Sequence, residues 1–125
     1  MTIVLENAPD QRGQVLGKAM VRAADTLNLS GAVAASALGL SEASFSRLRQ
    51  GAFTLVPGSK AYELAAHLVR LYRALDAIVG GDDRAAAAWM HNLNITLGAR
   101  PVDLIPTIRG LFDVIAYLDA RRARL

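Results

Sequence analysis

Glu42, Ala43, Ser46 and Arg47 recur at helical spacing on one polar face, offering an acceptor, a small apolar contact, a hydroxyl and a forked cationic donor. Those are groups that can read base-pair edges in a major groove: Arg47 can fork onto a guanine, and Glu42 can accept from a cytosine amino group. Ser44 and Arg49 stand at the flank, where phosphate would lie, and Gln50 completes the polar face. Catalytic chemistry finds no comparable grouping. Asp82 and Asp83 are neighbours whose carboxylates diverge on a helix, so Asp82 is expected as a helix cap with Asp83 near the positive end of that helix. His67 and His91 are the only histidines and cysteine is absent, so both rings are expected in packing or surface positions rather than on a metal. Ser30, Ser36, Ser41, Ser44, Ser46 and Ser59 read as caps and small helical positions, not nucleophiles. The expectation is a protein with no catalytic residue, metal or cofactor. A small enzyme built on Asp82, Asp83 and His91 is the least supported rival.

The base-reading face needs a support, and residues 32–51 supply it as two short helices joined by a tight turn. Val33, Ala34, Ala37 and Leu38 share one side of the first helix, Gly39 permits its sharp end, and Leu40 plugs the corner. Ser41 caps the second helix, Phe45 and Leu48 face inward, and Gly51 ends it. This is a helix-turn-helix pattern, in which the second helix enters the groove. The same residues would also serve as the solvated face of an ordinary helical hairpin.

The remaining chain reads as helical scaffolding. Its 125 residues suit one compact domain or two small helical units sharing a core, and 53% apolar residues with only 6% aromatics point to an all-α fold. A net charge of +3 permits a polyanionic partner without requiring one. The opening lacks the pattern of a signal peptide, and no run approaches the roughly 18 apolar residues of a membrane span, so a soluble, cytoplasmic protein is expected.

Residues 1–13 read as a loose N-terminal arm, residues 14–58 as a helix-turn-helix domain and residues 59–125 as a second helical domain. A scaffold helix over 14–28 would bury Val15, Leu16, Ala19, Met20, Ala23 and Leu27, leaving Lys18 and Arg22 on its solvated side. Ser59 would cap a long helix running to about Val79 that joins the two halves. On it Leu64, Leu68, Leu71 and Leu75 alternate at four- and three-residue spacing, and part of that stripe is expected to form a dimer face, since two-fold operators are usually read by two copies. A third helical stretch would end near Trp89, taken as a core anchor. A short helix over 102–107 and a last helix over 111–122 would follow, Gly110 between them allowing close packing or a bend.

The second half also resembles the Xre/MbcA/ParS antitoxins encoded with RES-domain toxins. The resemblance rests on Arg70-Leu-Tyr-Arg-Ala-Leu-Asp-Ala-Ile-Val-Gly-Gly-Asp82, Trp89-Met90, Asn94, Leu97-Gly98, Pro101, Asp103-Leu-Ile105, Thr107, Gly110-Leu111, Val114 and Tyr117-Leu-Asp119, and with the helix-turn-helix it covers about residues 17–122. Leu93 stands where the family commonly has proline, Ala99 where it has a second glycine, and the Arg121-Arg-Ala-Arg-Leu125 ending differs from the family's small glycine-containing tail. The resemblance implies an antitoxin that occludes the active-site entrance of an NAD⁺-consuming RES toxin with its C-terminal domain and represses its own operon through the helix-turn-helix. The partners implied are that toxin, operator DNA and a second copy, within a larger toxin–antitoxin assembly. Tyr117, Asp119, Arg121, Arg122 and Arg124, polar residues off the buried stripe of the last helix, are expected to meet the toxin. The alternative is a dimeric helix-turn-helix repressor with no toxin partner.

Overall fold

The computed structural model describes residues 10–124, and all the regular structure there is helical: α1 Arg12–Thr26, α2 Gly31–Leu38, α3 Glu42–Gln50, α4 Lys60–Ile78, α5 Asp83–His91, α6 Pro101–Leu104 and α7 Ile108–Arg122. The arm expected over residues 1–13 lies mostly outside the described residues, and its last two positions belong to α1 instead. Gly13 is buried there, because α1 crosses the Leu55 backbone so closely that a Cβ would overlap the Leu55 carbonyl.

Helix ends are settled by local chemistry. The hydroxyls of Ser30, Ser41, Ser59 and Thr107 and the carboxylate of Asp82 each accept a backbone N–H three residues on, at 3.0–3.2 Å. Left-handed Gly39 and Gly51 close α2 and α3: Leu40 N–H donates to the Ala35 carbonyl and Ala52 N–H to that of Arg47. The last helix starts at Ile108 rather than 111. Thr107 caps it, and Gly110 lies in its first turn, against the Leu104 carbonyl.

One apolar core runs through the molecule, from Met20 and Leu27 on α1, through Leu38, Phe45 and Leu55, to Met90, Ile105, Leu111 and Leu118. The 19-residue α4, roughly 28 Å long, is its axis and packs against α1, α2, α5 and α7. The four leucines expected to include a dimer face, Leu64, Leu68, Leu71 and Leu75, are buried in the chain's own core, the last three completely. On the α1 stripe Met20, Ala23 and Leu27 are fully buried and Leu16 and Ala19 pack against the core, with Gly13, Gly17 and Ala24 buried beside them, whereas Val15 is 64% exposed. Trp89 is half-buried at the edge of the core, with Ala86 and Met90 as the inward residues of α5.

Candidate functional site

The exposed face of α3 carries Glu42, Ala43, Ser46, Arg47 and Gln50, with Phe45 and Leu48 buried beneath. Ser44 is half-buried and belongs to a local chain of hydrogen bonds: Ser41 Oγ donates to Ser44 Oγ at 3.1 Å, and Arg47 Nη2 donates to the same oxygen at 3.1 Å. Arg47 thus rests against its own helix and must let go of one neutral acceptor to reach a base. That exchange costs on the order of 1 kcal/mol, less than a bidentate guanine contact returns.

Arg49, expected near phosphate, is exposed and has partners within the chain. Its guanidinium donates to Asp25 on α1 and stacks over Phe45 at 5.4 Å, so it ties α3 to the scaffold helix. Sequence spacing gives no sign of this pair, whose members are 24 residues apart. The pair borders a cleft of about 630 Å³ that Lys18 and Arg22 also line, together with Gln50. The two α1 cations, expected on a solvated side, therefore stand beside the end of α3.

The second group of candidates gathers at the C-terminal end of α7. Tyr117 is half-buried, stacks on Trp89 with ring centroids 6.0 Å apart, and accepts a hydrogen bond from Arg121 Nη1 at 3.0 Å. The Asn94 side chain and then the Arg121 guanidinium hold its phenol below the usual tyrosine range, because both favour the anion. Arg122 and Arg124 are exposed. Asp119 is not presented in the same way: its carboxylate accepts from Arg70 Nη2 and joins α7 to α4. Thr96, Tyr117, Ala120, Arg121 and Arg124 line a hollow of about 490 Å³.

The chain leading into Thr96 carries two exposed residues the sequence did not single out for binding, Leu93 at 68% exposure and Ile95 at 91%. The nearest signal was the departure from the family pattern at Leu93. Ile95 sits in a loop closed by an isolated bridge between Asn94 and Ala99.

Asp82 and His91, two of the residues weighed for catalysis, have structural partners. Asp82 caps α5. His91 Nε2 lies 3.2 Å from the Leu27 carbonyl and 3.0 Å from that of Asn28, at the end of α1. His67 meets Phe112 edge-on, ring centroids 4.8 Å apart. Among the described residues no three His, Cys, Asp or Glu side chains are grouped to hold a metal ion, and no helix is long and apolar enough to cross a membrane.

Comparison with known families divides the chain where α4 joins its two halves. Residues 6–70, just over half the chain, match the antitoxin Xre-like helix-turn-helix domain. Residues 74–124 match the antitoxin Xre/MbcA/ParS C-terminal toxin-binding domain. No curated protein matches the chain. The α2–α3 pair lies in the first match, and Tyr117, Arg121 and the 94–99 loop lie in the second. An all-helical chain with a helix-turn-helix in its first half and a toxin-binding domain in its second belongs to the Xre/MbcA/ParS antitoxin family.

Proposed function

We propose that this antitoxin neutralises a cognate RES-domain, NAD⁺-degrading toxin by covering the entrance to its active site, and represses its own operon through α3. The observation that carries the toxin half is the match of residues 74–124 to a toxin-binding domain whose exposed end presents Tyr117, Arg121, Arg122 and Arg124. The operator half rests on the exposed Glu42, Ala43, Ser46 and Arg47 of a capped second helix in a helix-turn-helix. Ser44 supports this face by holding Arg47, and Arg49 supports it by fixing α3 to α1.

A homodimer suits a two-fold operator and a larger toxin–antitoxin assembly in the cytoplasm. Its interface has to lie away from the four buried leucines. The opposite flank of α4 offers a cleft of about 640 Å³ against α1, with Val15, Tyr62, Ala66 and Val69 among its lining residues and Arg73 at its edge.

The test is co-purification with the product of the adjacent gene, sizing with light scattering, and an NAD⁺-consumption assay of that partner. A stable complex that stops NAD⁺ loss is expected. A lone dimer that binds its operator, with no effect on the toxin, would replace this reading with that of a repressor lacking a toxin partner. Removing residues 121–125, which spares the Asp119–Arg70 pair, is expected to leave a folded chain that binds operator DNA and no longer protects against the toxin. Full protection by the truncated chain would overturn the assignment of the tail.

A further inference from the structure

Ile95 is the most exposed large apolar side chain among the described residues, and the loop that carries it is locked from both sides. Asn94 N–H donates to the Ala99 carbonyl at 3.0 Å, Gly98 N–H donates to the Asn94 carbonyl at 2.8 Å, and Leu97 N–H donates to Asn94 Oδ1 at 3.0 Å. Gly98 takes the left-handed conformation this tight return needs, at φ 77°. Leu97 turns inward and packs on the core. These three bonds hold the backbone on both sides of Ile95 in a fixed return.

The tip also adjoins positive charge. Thr96, the next residue, lines the hollow with Tyr117, Arg121 and Arg124, and among the described residues no Asp or Glu lines it. Nearby Asp119 is already held by Arg70. An exposed β-branched side chain on a fixed loop loses little conformational freedom on docking, and tyrosine and arginine are residue types that often anchor interfaces.

We propose that Ile95 and the adjoining Arg121–Arg124 hollow form a single docking surface for the toxin, which supplies an apolar pocket for Ile95 and a carboxylate for the hollow. This rests on the toxin-binding reading above and gives it a second point of contact. The last helix orients the toxin through charge, and the loop supplies an apolar anchor to which that helix does not contribute.

The experiment uses the full chain and, as the toxin, the product of the adjacent gene. Ile95→Asp is expected to weaken binding at least tenfold and to restore NAD⁺ consumption, with the thermal midpoint and operator binding unchanged. Ile95→Leu is expected to keep both binding and protection. A photo-crosslinking residue at position 95 is expected to capture the toxin, and the Arg121→Glu, Arg124→Glu double variant to weaken binding in a salt-dependent way. Binding by Ile95→Asp within twofold of the parent, with no crosslink from position 95, would overturn the proposal. If loss of residues 121–125 still abolished protection, the toxin-binding reading would stand without the loop. If the unaltered chain did not bind the toxin, both would fall.

Discussion

Ser41, Ser44 and Arg47 arrange one another within two turns of α3, whereas Tyr117 owes its surroundings to Trp89 on α5, Asn94 in the loop and Arg121 on its own helix. The two surfaces therefore differ in how much of the chain must fold before they exist. The α3 face needs a capped helix and a buried Phe45–Leu48 stripe beneath it. The C-terminal surface needs α4, α5, the 94–99 loop and α7 together, with Asp119 joined to Arg70 across 49 residues. Local construction suits a helix that presents short side chains to a groove, and dispersed construction suits a broad surface for a folded partner.

The shared axis is where the contrast between the halves should disappear. Leu71→Ala removes a fully buried side chain from α4 and is expected to cost about 2–5 kcal/mol. Thermal unfolding should remain one transition at a lower midpoint, with both operator and toxin binding lost together on heating. Two transitions would show that the halves fold separately.

A pair of glycines compares the halves directly. Gly13→Ala drives a methyl into the Leu55 backbone and Gly110→Ala drives one into that of Leu104. Each is expected to lower stability by about 1–3 kcal/mol, measured by urea denaturation. Similar losses in one cooperative transition would again point to a common core.

Arg47→Ala is expected to separate the surfaces. It should cost about 1–3 kcal/mol of operator binding while leaving neutralisation unchanged, measured by fluorescence anisotropy with operator DNA and by the NAD⁺ assay. Unchanged operator affinity would favour a chain whose helix-turn-helix does not read bases through this residue.

The smallest effect concerns the start of α1. Arg12 bonds the Asp10 carboxylate through both side chain and backbone and lowers its pKa to about 2 from 3.8. A depressed carboxylate pKa stabilises the fold above the unfolded value and ceases to do so as pH falls through the folded one. The pair's small contribution should therefore fade between about pH 4 and pH 2. Carboxyl titration by NMR checks this, and Arg12→Gln should return Asp10 towards its ordinary value.

What the sequence determined by itself is the local grammar. The Ser41, Ser59 and Asp82 caps, the stops at Gly39 and Gly51, and the Phe45–Leu48 stripe follow from contacts three to five residues apart, and all are present in the structure. The family was likewise legible, because its ordered motif spans most of the chain.

Tertiary structure decided which surfaces are free. The leucine repeat on α4 fits a dimer seam and an internal core equally well by spacing, and only the packing of α1, α2, α5 and α7 around it shows that it is core. Gly13 read as part of an arm because nothing nearby in sequence reveals the Leu55 backbone lying against it. The pairing of Arg49 with Asp25 and of Asp119 with Arg70 joins distant helices and has no signature in local spacing. Ile95 drew no notice, since an exposed aliphatic residue is ordinary until its loop proves locked and the charges beside it are known. Periodicity reports which residues share a helix face, but which face is covered depends on elements that meet only when the whole chain has folded.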